Sequence, residues 1–564
     1  MASLRDAQMF PVLSPAQVAM AKRFASTLVP RFAAGAPIFA IGAHNVPTWL
    51  VLEGSLEVFS RSGFSGDTVI TTHEAGQFSG EISQLAGRPA LAGGRAGPEG
   101  CLAVPFDAAH LRALVIGSAE IGEIIMRAFI LRRVALIDAG SGGPVLIGAP
   151  DAPEIVRLRG FLTRNGYPHV VLDASLDAEG RALVEHLGVQ PSELPLMVCP
   201  AGTVLRRPSD IEVGLCLGIT PALDPAKLYD VAIVGAGPSG LAAAVYAASE
   251  GLSVLVLDER AIGGQAGASA RIENYLGFPA GISGQALASS AFDQALKFGA
   301  EIAVPLAVAK LDCPDPSDIG TAPLRLTLTD GREIQAHTVV IASGARYRRP
   351  AIANLSDFEG AGVAYWASPI EAKLCEGEEI ALVGGGNSAG QAVAFLAPRV
   401  KRLHLIVRRD GLEATMSRYL IDRIAALPNV ELHAECEITE LVGDRESGLT
   451  AAVIHNRLTG TDDRRPLRHL FLFIGADPNA AWIEDCVERD GHGFVRTGPD
   501  VGTRQTAPDR TAYPLETSLP GVFAIGDVRS GSTKRIAAAV GEGAAVVAQI
   551  HAVLAAKAQR AGTA

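Results

Sequence analysis

The sequence predicts a multidomain α/β chain: an N-terminal β-roll with helices, a small α/β domain, and two three-layer nucleotide-binding domains. Three observations carry this expectation. Tyr229–Gly240 and Ile380–Ala389 each read as a buried strand, a glycine turn and the start of a helix. Residues 143–217 alternate strand and helix patterns. Before about residue 137, helical periodicity gives way to short apolar runs punctuated by glycine, as hairpins require. At 564 residues and 48% apolar content, the chain is long and apolar enough for several full cores.

Bulk composition excludes some roles. Lys and Arg total 49 against 60 Asp and Glu, a formal charge of -11, which opposes general attraction to nucleic acid. The N-terminus shows no basic region followed by an apolar core, and the Ala/Val-rich run near the C-terminus is broken by Glu542, Gln549 and His551. Neither a signal peptide nor a membrane span is expected. The seven cysteines are odd in number, scattered and never spaced as CxxC, which argues against a disulfide scaffold or a zinc site. No metal site is therefore expected; each cysteine reads as a small buried apolar residue, and a reducing cytoplasm suits them.

In the first 137 residues, Ala36–Gly42 and Trp49–Val58 read as strands, and a helix begins near Asp107. Phe78–Leu85 followed by Gly87-Arg88-Pro89 resembles the phosphate-binding cassette of cyclic-nucleotide-binding domains. That resemblance implies a glutamate on the ribose hydroxyl and an arginine after the proline on the phosphate. Gly80 and Glu81 match, but the residue after Pro89 is Ala90, whose methyl group cannot bond phosphate; Arg88 and Arg95 are the alternatives. A cyclic nucleotide ligand and a purely packing role both stay open.

Residues 140–222 begin with a strand at Pro144–Ile147 and a helix around Ile155–Asn165, then a strand at Val170–Asp173 and a helix about Ala178–Leu187. A hairpin from Leu194–Cys199 to Thr203–Arg206 and a helix near Ser209–Leu217 complete the unit. This order resembles a thioredoxin or glutaredoxin fold, with Pro195 at that family's cis-proline. The turn where its catalytic thiols would stand is Gly148-Ala-Pro-Asp-Ala-Pro153, so the unit is expected to bind or dock rather than carry electrons.

In the first cradle, Gly235 permits the tight turn, Gly237 admits a pyrophosphate and Gly240 lets helix and strand pack, with Pro238 and Ser239 opening the helix. Asp258, followed by Glu259, ends the next strand about twenty residues on, where a carboxylate holds a ribose diol. Gly263-Gly264-Gln265, Arg271–Pro279, Ala342-Ser343-Gly344, Gly526-Asp527 and Lys534–Ala537 follow in order. Together with the cradle, they resemble the low-molecular-weight thioredoxin reductases over about 228–555. The resemblance implies two Rossmann-like domains and FAD held by residues 228–348 and 470–558. Glycines 235, 237 and 240 would lie at the pyrophosphate, Asp258 at the adenosine ribose, and Gln265 and Asn274 near the flavin. Asp527 would take the ribityl or phosphate side, and Arg535, Ile536 and Ala537 would face the ring, where a helix dipole favours negative charge.

Residues 349–469 would form the inserted nicotinamide domain, with Gly384, Gly386, Asn387, Ser388 and Ala389 as its cradle. Where a ribose acid would end the next strand stands Val407, followed by Arg408 and Arg409; paired guanidiniums favour a 2′-phosphate, hence NADPH over NADH. The family's third arginine is replaced by Glu413.

Thioredoxin reductases carry a CxxC just before this second cradle. Here the run is Tyr365-Trp-Ala-Ser-Pro-Ile-Glu371, with Trp366 and Pro369 at the cysteine positions. The expected activity is NADPH-dependent flavin reduction, with electrons leaving the flavin directly for a quinone, an iron–sulfur or flavin protein, a ferric chelate or oxygen. Two other readings stand beside it: a redox sensor with little turnover, and a thioredoxin-disulfide reductase using Cys199 and Cys216. The family implies a homodimer.

Overall fold

The computed structural model describes residues 4–60, 67–139, 143–200, 202–221, 223–269, 271–313, 322–359, 362–367, 369–444, 448–483, 486–502 and 511–561. Residues 31–106 form a five-stranded antiparallel sheet built on two long strands, Thr48–Ser60 and Gly93–Phe106. Helices Ala108–Gly117 and Ala119–Ala139 pack on it. Asp107 starts the first by accepting the His110 N–H at 2.9 Å, which satisfies an otherwise orphaned donor. Between them, Phe129 meets Phe78 edge-on with ring centroids 5.9 Å apart.

Residues 145–206 form a four-stranded sheet ordered Val170–Leu172, Val145–Ile147, Leu196–Val198, Val204–Arg206, with only the first pair parallel. Helices Pro153–Arg164, Ala178–His186 and Asp210–Cys216 accompany it. Ser209 and Glu212 cap the last helix reciprocally, and the Leu194–Pro195 peptide is cis.

The next domain is built on a seven-stranded sheet. Strand Leu228–Val234 runs parallel to Val254–Leu257 and to Glu333–Ile341, with Glu301–Ala303 outside the former. Val522–Ala524 returns from far along the chain to pair with Glu333–Ile341. One face of this sheet is covered by the helices Pro238–Ser249, Gly284–Lys297 and Ile536–Ala561, and the other packs on Leu311, Leu326, Ile483, Val487 and Val495. The inserted domain has a five-stranded parallel sheet, ordered Val363–Ala364, His469–Leu472, Glu379–Val383, Arg402–Ile406, Val430–His433. An antiparallel layer of Cys436–Asp444, Gly448–Asn456 and Asp462–Arg465 adjoins it. A two-stranded ribbon, Ala345–Tyr347 with Ala476–Pro478, ties the insert to its host.

The helix Ile536–Ala561 is long and apolar enough, over Ile536–Gln559, to cross a membrane by length and composition. Within the molecule, Val546, Val547 and Ile550 enter the core, and a Cβ on Gly543 would lie 2.4 Å from Ser239 O, so this helix packs directly on Pro238–Ser249.

The cassette region meets the rest of the chain. Glu81 pairs with Arg133 at 3.4 Å, Arg133 lies 5.0 Å over the Tyr167 ring, and Arg88 lies 5.0 Å over Phe292. Thr220 Oγ1 donates to Val304 O at 2.6 Å, and a Cβ on Gly218 would meet Pro89 at 2.2 Å. Asp293, on the helix Gly284–Lys297 that faces this joint, has its carboxyl pushed up to about 7 by burial, against the pull of Arg133 and Arg88. Arg95 instead bonds Glu57 at 2.8 Å, and Ala90 joins its neighbours through its backbone.

The cysteines depart from the sequence expectation. Cys199 is bonded to Cys216 and Cys313 to Cys486, whereas Cys101, Cys375 and Cys436 are buried free thiols. The partners lie 17 and 173 residues apart, so no local spacing advertises them.

Candidate active site

The first cradle is folded by glycines of two kinds. Gly235 has φ +115°, and a Cβ there would lie 2.2 Å from Ala342 O; a Cβ on Gly240 would lie 1.9 Å from Gly235 O. Those two positions require glycine for the backbone to close. Gly237 differs. It precedes the helix Pro238–Ser249 with φ -74°, no side chain caps that helix, and a Cβ would meet nothing nearer than Gly264 Cα at 4.0 Å. Its bareness is not needed for packing and leaves the helix N-terminus open to an anion, which suits a dinucleotide pyrophosphate. Ser239 is buried in the helix's first turn beneath Gly526, where a Cβ would meet its Oγ at 2.6 Å.

Around the cradle, Asp258 accepts the N–H groups of Ala236 at 2.8 Å, Arg260 at 2.9 Å and Ala261 at 3.1 Å. Burial raises its pKa while these three bonds pull it down. Its bonds therefore brace the glycine turn, and the neighbouring Glu259 is an exposed acid just past the strand end, 3.2 Å from Arg260 and 3.4 Å from Arg346. Gly263 N–H reaches Ala236 O at 2.7 Å, and a Cβ on Gly264 would stand 3.1 Å from Gly237 Cα, so the two glycine loops touch backbone to backbone. Gln265 Nε2 donates to Ala345 O, which ties this loop to the ribbon. Asn274 is exposed, beside the cross-domain pair Arg423–Glu273 at 2.9 Å.

Ala342 N–H bonds Val234 O at 2.8 Å, and Gly344 O accepts from Asn479 at 2.9 Å. Gly526 N–H donates to Glu542 at 2.6 Å, and Glu542 is held in turn by Arg529 at 2.5 Å. Glu542, a break in the apolar run of the sequence, is thus the residue that anchors this turn. Burial raises the Asp527 pKa against the pull of Lys534, whose ammonium bonds Asp527 O. Tyr347, near Asp527, is pushed up to about 12, by burial first and by Asp527 second. Arg535 N–H bonds Thr533 O at 2.7 Å, and Ile536 and Ala537 open the C-terminal helix.

The second cradle repeats the first. Gly384 has φ +148°, and a Cβ there would meet Phe473 O at 2.4 Å; Gly386, ahead of the uncapped helix Asn387–Leu396, would present a Cβ to open space. Asn387 Oδ1 accepts Ser417 N–H at 2.7 Å; Ser388 and Ala389 follow in the first turn, where Ala389 is buried. Arg408 and Arg409 are exposed just past the strand Arg402–Ile406, and among the described residues neither guanidinium forms an ion pair. The donors are free for a phosphate.

Trp366 donates through Nε1 to Glu371 at 2.9 Å, and Arg164, at the end of the small domain's first helix, lies 5.9 Å over its ring. Pro369 starts the helix Pro369–Leu374, and Ser368 between them lies outside the described residues. Cys375, the nearest thiol in sequence, is buried, and burial pushes its pKa up to about 11.

The family model for pyridine nucleotide-disulphide oxidoreductases matches residues 229–543. The chain is 31% identical over 321 residues to NADPH-dependent thioredoxin reductase 3 of Arabidopsis thaliana, covering 56% of this chain and 56% of that protein. It is 30% identical over 323 residues to the thioredoxin reductase of Mycoplasmopsis pulmonis, covering 56% of this chain and 94% of that one. A Bacillus subtilis NADH dehydrogenase is 31% identical over 317 residues, covering 56% of this chain and 57% of its own length. The solved Lactococcus lactis thioredoxin reductase superposes with a TM-score of 0.51 at 26% identity, over 58% of this chain and 99% of that one.

Proposed function

Because this chain belongs to the thioredoxin reductase-like pyridine nucleotide-disulphide oxidoreductases, we propose that it is an NADPH-dependent FAD oxidoreductase whose flavin serves an acceptor directly, with no cysteine relay beside it. Gly235, Gly237, Gly240, Asp258, Glu259, Gln265 and Asp527 would hold FAD; Gly384, Gly386, Arg408 and Arg409 would hold NADPH. When bound, the pair supplies hydride transfer from nicotinamide to flavin. The chain's own part is placement. The open helix N-termini at Gly237 and Gly386 bind phosphate, and the exposed guanidiniums select the 2′-phosphate.

The observation that carries the proposal is Trp366 and Pro369 standing where the family has its thiols, with Cys375 buried and poorly ionised nearby. The quinone, iron–sulfur or flavin protein, ferric chelate and oxygen classes remain the acceptors to assay. Gly80 and Glu81 support a cyclic-nucleotide-binding-like ancestry for residues 1–137, and the cis Pro195 supports a thioredoxin-like one for 140–222. Both serve as docking modules in this reading, in a homodimer. One observation favours a second reading, disulfide reduction through the accessory unit: Cys199 and Cys216 are bonded to each other. NADPH oxidation with ferricyanide and with a quinone, before and after reduction of the protein with NADPH and alkylation of every thiol this exposes, separates the two. Unchanged rates support direct transfer; loss of turnover with every acceptor sinks it.

A further inference from the structure

Away from both cradles, three titratable side chains converge on two adjacent strands of the inserted domain. His404 lies on Arg402–Ile406, and Glu431 and His433 lie on the edge strand Val430–His433, with His404 registered opposite Glu431. His404 Nδ1 lies 2.9 Å from His433 Nε2 and 3.5 Å from Glu431 Oε2, and His433 Nε2 lies 3.6 Å from Glu431 Oε1. A tetrahedral ion about 2.0–2.1 Å from each donor sets its ligands about 3.3 Å apart, so these separations bracket the required edge.

The outer contacts complete the pattern. His404 is fully buried, and its Nε2 faces Glu379 Oε1 at 2.8 Å. A carboxylate there holds the proton on Nε2 and turns the Nδ1 lone pair toward the other two side chains, the arrangement that orients metal-bound imidazoles. Glu431 faces both rings beyond hydrogen-bond reach of either. Arg402 Nη1 lies 3.5 Å from Glu431 Oε2, and Arg465, which also feels Glu431, is bonded to Asp463 at 2.7 Å. No cysteine takes part, which is why cysteine spacing gave no hint of the cluster.

We propose that His404, His433 and Glu431 bind a divalent transition-metal ion, zinc by the nitrogen and oxygen character of the donors, with a fourth position open toward the exposed side of Glu431. The inference rests on strand geometry and not on the nicotinamide reading. An ion here clasps the strand that leads into Arg408 and Arg409 to its neighbour, and the two stay joined past the cluster, since Val407 N–H bonds His433 O and Glu435 N–H bonds Arg409 O, each at 2.9 Å.

The test uses tag-free full-length protein stripped with a chelator and titrated with zinc against a chromophoric chelator. Wild type takes up one zinc per chain. His433→Gln and Glu431→Gln, at positions less buried than His404, lose that uptake while keeping the wild-type circular dichroism. Glu379→Gln, which only orients His404, keeps the stoichiometry and binds roughly 10- to 100-fold more weakly. Failure of wild type to compete with a micromolar chelator, or uptake unchanged in both Glu431→Gln and His433→Gln, overturns the site whatever the flavin chemistry proves to be.

Discussion

The two kinds of cradle glycine behave oppositely when given a methyl group. Alanine at 240 would place its Cβ 1.9 Å from Gly235 O and 3.3 Å from Ala342 Cβ, so the helix must retreat by roughly 1.5 Å to restore van der Waals contact. Overpacking of this kind costs about 1–3 kcal/mol, which lowers the unfolding temperature of the flavin-free protein by several degrees. Alanine at 237 meets nothing closer than 4.0 Å and sits at φ -74°, which alanine adopts freely. There the apoprotein should be unchanged or gain about 0.4–1 kcal/mol from the stiffer unfolded chain. Flavin binding should respond instead. A methyl group over the helix N-terminus displaces the pyrophosphate from at least one charge-assisted N–H bond worth about 1.5–3 kcal/mol, weakening FAD by roughly 10- to 100-fold. Thermal unfolding of the apoproteins and titration with FAD, followed by quenching of its fluorescence, give both quantities. A Gly237→Ala variant that holds FAD as tightly as wild type, or unfolds as early as Gly240→Ala, refutes the assignment.

Replacing Arg408 and Arg409 together by alanine should raise KM for NADPH by about 100-fold, from two lost phosphate bonds of about 1.5 kcal/mol each, and leave NADH oxidation unmoved; steady-state kinetics with both nucleotides decide it. Changing Cys199 and Cys216 to serine should leave quinone and ferricyanide reduction intact, and a lost flavin turnover would transfer the reading to the accessory disulfide. Asp293 holds its proton to about pH 7 in the folded chain against 3.8 as its ordinary value. The folded state is thus favoured below about pH 4, and that advantage is lost as pH rises to about 7, by at most about 4 kcal/mol before solvent screening. Asp293→Asn, beside Glu81, Arg88 and Arg133, should flatten the fall in unfolding temperature between pH ~4 and ~7 seen by calorimetry.

The strand–glycine–helix order and the spacing to the next strand were legible because they are local, and both cradles follow from them. Asp258 was expected at the adenosine ribose from its place after the second strand, whereas its three backbone bonds depend on how two loops fold against each other, which no periodicity encodes. Glu542 and Gly526 lie 16 residues apart, across a turn and a helix, and their contact arises from packing on Ser239. The pairing of Cys313 with Cys486 escaped for the same reason: an entire inserted domain separates them in sequence. The cassette motif gave the positions of Glu81 and Arg88 but not their neighbours, which come from other parts of the chain.

Those neighbours change what an isolated core would be. Arg88 stacks on Phe292, Thr220 bonds Val304, and Gln285 donates to Arg164 O at 2.9 Å, all before or across the segment shared with the shorter reductases. Trimming this protein to the length of those relatives would strip an aromatic ring of its covering guanidinium and leave a flank shaped for a companion bare to water. Such a fragment would be prone to cling to itself, and its kinetics would describe a different molecule from the whole chain.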